Sequence, residues 1–175
     1  MHSFDNTSDH PRVRALVERF RATDAAMRDL PVYNEKVAIE AIGFRAFGDD
    51  ALIGVVLTPW FMNLIVLPLE PAPMDMAQIG KSVVIELPAG QRNFVVGGDE
   101  TVGLYKAHSL HSPVLNLTLP GQAHAEAKRQ LAMLLTPPPA DPAPARSTGK
   151  SGLDRRALLL GRRNEQRPTS GNPQA

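Results

Sequence analysis

Hydrophobic positions change their period as the chain proceeds. Over residues 11–28, Val13, Leu16, Val17, Phe20 and Met27 recur at intervals of three, four and seven, with Asp24 on the same line. That spacing predicts an amphipathic helix. Pro11 suits a first helical position, and Ser8 or Asp9 is available to cap it. Arg12, Arg14, Arg19 and Arg21 flank the apolar stripe, which reads as a helix packed on a sheet rather than on a membrane surface.

After Leu30-Pro31 the period falls to two. Val37, Ile39 and Ala41, then Ile42 and Phe44 toward Phe47, predict a strand that turns at Gly48-Asp49-Asp50 into a second strand over 51–57. A third is expected over 62–67, after Thr58-Pro59-Trp60. Residues 68–80 form a proline-bearing loop with a short helical turn near Met74–Gln78. Val83–Leu87 is a fourth strand, Pro88-Ala89-Gly90 a turn, and Arg92–Val96 a fifth strand. Gly97-Gly98-Asp99 is another turn signal before a sixth strand over Val102–Leu110. Gly43 and Gly54, isolated within strands, mark candidate bulges. Turns this short make successive strands antiparallel neighbours.

Ala123, Ala127, Leu131, Leu134 and Leu135 give a second helix over 121–135, which Pro137-Pro138-Pro139 stops. The layout is α+β: an antiparallel sheet of five or six strands flanked by an N-terminal and a C-terminal helix, then a proline-rich basic tail.

Residues 51–69 run without a charge for 19 positions, close to a bilayer-spanning length. Pro59 and Pro68 break a helix there, Thr58 and Asn63 add polar groups, and β-branched residues dominate. Two buried strands around Thr58-Pro59-Trp60 account for the run better.

Composition sharpens the boundaries. The chain has 175 residues, no Cys, 19 Lys plus Arg and 18 Asp plus Glu, for a net charge of +1. The lack of Cys excludes disulfides, thiolate metal sites, iron–sulfur clusters and a cysteine nucleophile within this chain. Aromatics at 5% argue against a base-stacking module. Of 16 prolines, seven fall after residue 136, and the charge changes at the same point: 12 basic against 15 acidic groups over 1–136, 7 against 3 beyond it. Residues 1–136 therefore read as one folded domain and 137–175 as a linker and basic tail. The polar, acidic start lacks a secretory signal, which fits a cytoplasmic protein.

The chemistry-bearing residues form no catalytic constellation, so no enzyme, cofactor or metal is expected. His108 and His111 at a strand end are spaced to point to opposite faces, and with His124 they lack a supporting pattern for metal. Ser109 and Ser112 have no nucleophile elbow. Asp49-Asp50 and Asp99-Glu100 read as solvated turn charges. Two features rise above this. Trp60, the only Trp, is either a core anchor or part of an apolar surface for a partner. In the tail, Leu158, Leu159 and Leu160 stand between Arg155-Arg156 and, after Gly161, Arg162-Arg163. Three leucines bury too little to offset the ordering of nine backbones, so this segment orders only on docking. Protein docking, RNA binding and a membrane surface all compete for it. The leucines favour protein docking over plain RNA binding.

In order, T-P-W-F-M-N-L-I-V-L-P at 58–68, E-L-P-A-G at 86–90 with F-V-V-G at 94–97, S-L-H-S-P at 109–113 and R-R-A-L-L-L-G-R-R at 155–163 resemble the HybE/HupJ family of [NiFe]-hydrogenase assembly chaperones. The resemblance runs over about residues 11–163, with a longer proline-rich stretch at 137–150. It implies a non-enzymatic maturation chaperone acting in the cytoplasm on precursor subunits of an uptake hydrogenase. The small subunit, with its twin-arginine signal, is the first candidate; the large subunit and other maturation proteins are further ones. It implies partner contacts at Thr58, Pro59 and Trp60 and over 155–163, with the tail segment completing a sheet edge or clasping the partner. Some relatives carry a fused rubredoxin domain, which this chain, without Cys, does not contain. The alternative from another class is a nucleic-acid or ribosome-associated module using the basic tail.

Overall fold

The computed structural model describes residues 9–139. Helix α1 (Pro11–Met27) is followed by strands β1 (Glu40–Phe47), β2 (Ala51–Leu57), β3 (Met62–Pro68), β4 (Ser82–Leu87), β5 (Gly90–Asp99) and β6 (Gly103–His111), then helix α2 (Gln122–Leu135). The six strands form one antiparallel sheet in the order β1-β2-β3-β6-β5-β4. The α+β layout expected from the hydrophobic periods is the observed one. Its elements differ in detail. β5 continues through Gly97-Gly98 to Asp99, so the reversal falls at residues 100–102. The α1 cap is His10, whose ring nitrogen accepts the Arg12 N–H at 3.2 Å, rather than Ser8 or Asp9.

The helices cover opposite faces, and this explains the apolar run. Along β2, Ala51, Ile53, Val55 and Leu57 join the core under α2, with Ala127, Leu131 and Leu134. The alternate residues Leu52 and Val56 join the core under α1, with Val13 and Leu16. A strand covered on both sides loses its polar alternation, and β2 is buried at every position. No helix among the described residues is long and apolar enough to cross a membrane.

Two bulges set the geometry. Between Ile42↔Val55 and Arg45↔Ile53, the pair Gly43-Phe44 opposes Gly54 alone. Gly43 has φ +63°, and a Cβ there would stand 2.5 Å from Leu131 of α2. Only glycine takes this backbone without strain while letting the helix close in. The Phe44 ring turns to the α1 side and lies over Gly54, where a Cβ would overlap it. The second bulge leaves Leu110 unpaired between Ser109↔Asn63 and His111↔Met62.

Candidate interaction surface

Residues 58–61 join β2 to β3 in a turn that Thr58 holds. Its backbone N–H donates to Phe61 O at 2.8 Å, and its Oγ1 accepts the N–H groups of Trp60 and Phe61 at 3.3 and 3.0 Å. A hydroxyl that answers backbone donors two and three residues on is the usual means of fixing such a turn. Thr58 has no exposed surface and Trp60 only 8%. Within the protein, Trp60 is thus a packed side chain, and Thr58 acts on its neighbours rather than on solvent. Residues 155–163 lie outside the described residues.

Trp60 begins a row of rings. It stacks on Tyr33 at 6.2 Å and 25° and meets Phe61 edge-on at 5.9 Å. Phe61 meets Phe20 of α1 edge-on at 5.3 Å, and Phe20 meets Tyr105 of β6 at 6.4 Å. The chain has one Trp, two Tyr and six Phe, so five of nine aromatic side chains form this row. Edge-to-face pairs add directional attraction to their buried area. The row anchors α1 to the 58–61 turn and to β6. Burial also pushes the Tyr105 phenol above its ordinary pKa.

Beside the row runs a groove between α1 and the segment 33–41. One cleft of about 360 Å³ is lined by Pro59, Tyr33, Val37, Ile39, Arg21 and Asp24. A second of about 390 Å³ shares Arg21 and Ile39 with it and extends along α1 to Arg14, Val17 and Glu18. Its charges are largely matched internally. Asp24 accepts the Tyr33 hydroxyl at 2.8 Å and the Arg28 guanidinium at 2.8 Å. The Tyr33 hydroxyl first and Arg28 second hold the Asp24 carboxyl below its usual range. Arg21 pairs with Glu18 at 2.6 Å, whereas Arg14 has no ion pair among the described residues. The groove therefore mixes the apolar side chains of Val17, Val37, Ile39 and Pro59 with largely paired polar groups and one unengaged guanidinium.

Asn34 organises this end of the sheet, and the sequence reading missed it. Its N–H donates to Pro59 O at 2.8 Å, and its Nδ2 donates to Val114 O at 2.9 Å and Leu117 O at 3.0 Å. Its Oδ1 accepts the Lys36 N–H at 3.1 Å. At 8% exposure, one residue fastens the 30–37 loop to the 58–61 turn and to the loop before α2. A lone Asn in a loop reads as a turn residue, and acceptors 80 and 83 positions away leave no local signal.

The histidines are arranged differently from their spacing. The bulge at Leu110 places His108 opposite Leu64 and His111 opposite Met62, so both face α2 rather than opposite sides. His108 lies against Phe94 at 5.4 Å, with Nδ1 2.8 Å from Asn93 O. His124 instead meets Glu40 at 3.0 Å. Among the described residues, no three His, Asp or Glu side chains are grouped to hold a metal ion. Asp99 is no free turn charge: its Oδ1 accepts the N–H groups of Thr101 and Val102, and its Oδ2 pairs with Arg19 of α1.

Comparison with known proteins places the chain in a family. Residues 11–161 match the family model described as "[NiFe]-hydrogenase assembly, chaperone, HybE". The chain is 37% identical over 145 residues to the hydrogenase expression/formation protein HupJ of Bradyrhizobium diazoefficiens, covering 82% of this chain and 83% of that one. It is 36% identical over 146 residues to the hydrogenase expression/formation protein HoxT of Azotobacter vinelandii, covering 82% and 94%. The solution structure of HybE from Escherichia coli shares the fold, with a TM-score of 0.56 at 21% identity over 88% of this chain and 91% of that one. The six-stranded sheet between two helices, with the Thr58-Pro59-Trp60 turn at its end, is thus the scaffold of a member of the HybE family of [NiFe]-hydrogenase assembly chaperones.

Proposed function

We propose that this chain is a non-enzymatic maturation chaperone. It binds a precursor subunit of a [NiFe] uptake hydrogenase in the cytoplasm, the small subunit with its twin-arginine signal first, and releases it for export after assembly. The observation that carries this reading is the family match over 11–161, which spans the folded domain and most of the Arg-Leu-Arg segment. The groove beside Pro59 supports it, because a concave surface of mixed apolar and polar side chains suits a partner's peptide or helix. In this reading Pro59 contributes to the contact wall while Thr58 and Trp60 fix its shape. Arg155, Arg156, Leu158, Leu159, Leu160, Gly161, Arg162 and Arg163 supply a segment that orders against the client. Ordering on contact lowers affinity and so favours release.

The test is capture from anaerobically grown cells expressing the hydrogenase. Tagged full-length chain is expected to retain the small-subunit precursor, and deletion of 155–163 is expected to weaken retention. Recovery of large subunit alone would reassign the client, and recovery of no hydrogenase subunit would refute the reading.

A further inference from the structure

The two edges of the sheet are built differently. β1 is kinked by the Gly43 bulge and tied to α2 through the Glu40–His124 contact, both devices that discourage pairing with another chain. β4 has neither. Its six residues pair with β5 in unbroken register from Ser82↔Val95 to Leu87↔Gly90, and no other described strand neighbours it. Val96 N–H donates to Lys81 O at 2.9 Å. The inward-bonded positions of an antiparallel strand alternate, so residues 83, 85 and 87 bond to β5. Ser82, Val84 and Glu86 then direct their N–H and C=O groups outward.

The same three residues carry side chains on the face opposite α2, since Val83 and Ile85 pack on the α2 core. Val84 is 62% exposed and Val95 beside it 47%. Glu86 is the only charged residue of β4 and has no ion pair among the described residues. We propose that the edge of β4, unpaired among the described residues, takes an extended segment of the client subunit as a seventh antiparallel strand. The segment carries an apolar residue opposite Val84 and, two positions before it, a basic residue opposite Glu86. Backbone bonds supply affinity in such additions, and alternate side chains supply specificity. This deepens the chaperone reading and rests on it for the identity of the client.

The probe is the synthetic peptide acetyl-Thr-Lys-Thr-Val-Thr-Val-amide, followed by amide NMR of the full chain. Saturable shifts at the Ser82, Val84 and Glu86 amides are expected, with weaker ones at 83 and 85. Val84→Pro removes the outward N–H and the exposed Val side chain without breaking a bond to β5 and is expected to lower peptide and precursor affinity at least tenfold at unchanged thermal stability. Glu86→Lys is expected to lose the Lys peptide and gain a Glu-for-Lys peptide, which keeps the test decisive if Val84→Pro does not fold. Equal binding by wild type and both variants, or shifts confined to the groove beside α1, would overturn the proposal. So would light scattering that shows a wild-type dimer converted to monomer by Val84→Pro, because a second copy would then occupy the edge. Peptide binding without capture of any hydrogenase subunit keeps the edge site and removes the client reading. Binding of neither overturns both.

Discussion

Asn34→Ala tests whether one side chain holds the 58–61 end of the sheet together. The substitution removes the Nδ2 donor from Val114 O and Leu117 O and the Oδ1 acceptor from the Lys36 N–H. Val114 is fully buried and Leu117 is 4% exposed. Each hydrogen bond contributes about 1 kcal/mol net, and a buried carbonyl left without a donor costs about 1–3 kcal/mol. Val114 O keeps the Leu117 N–H at 3.1 Å, so only Leu117 O is left without a described donor, and the expected destabilisation is about 2–4 kcal/mol. At about 3–5 °C per kcal/mol for a domain of this size, Tm falls by roughly 6–20 °C. The Asn34 N–H bond to Pro59 O survives the change, so the sheet should keep its fold while the loop before α2 loosens. Urea unfolding followed by circular dichroism gives the free energy, and amide exchange over 112–121 gives the locality. A loss below about 0.5 kcal/mol, with unchanged exchange in that loop, would refute the assignment of Asn34 as the latch, since surface changes fall in that range.

Other expectations follow from the same contacts. Trp60→Ala removes the ring stacked on Tyr33 and packed on Phe61, at a cost of about 3–5 kcal/mol in denaturant unfolding; unchanged stability with lost client recovery would instead make Trp60 a contact residue. Gly54→Ala drives a methyl into the Phe44 ring, with an expected cost of about 1–3 kcal/mol from overpacking, and a neutral result would contradict the described bulge. Glu126 is held down to about 2 by Arg129 first and Gln130 second. A carboxyl depressed on folding stabilises above its unfolded value near 4.5 and loses that contribution as pH falls toward 2. A carboxyl titration of Glu126 by NMR with a midpoint near 4.5 would contradict the pairing.

The hydrophobic periods made the elements legible because each strand and helix buries a defined side. β2 and β3 read as strands despite a near-membrane apolar run, since Pro59 and the β-branched residues marked the break, and the two helices account for burial on both faces. What stayed hidden depends on long-range placement. β6 passes between β3 and β5, an order that local turns do not encode. The extra residue at Leu110 rotates His111 onto the face of His108, so a spacing argument for a regular strand gave the wrong side. Gly43 and Gly54 were recognisable as special, but only the Phe44 ring between the strands and Leu131 on the helix explain why each is glycine. At the candidate surface, Thr58, Pro59 and Trp60 stood out by residue type. The groove did not, because Tyr33, Asp24, Arg21 and Ile39 converge from separate elements.

In the proposed function the chain holds the small-subunit precursor before the hydrogenase is complete. Purified full-length chain mixed with purified small-subunit precursor, and separately with purified mature small subunit, measures this directly by titration calorimetry. Saturable one-to-one binding of the precursor is expected, weakening at least tenfold for the mature subunit. Equal affinity for both forms, or no binding of the precursor, would contradict it.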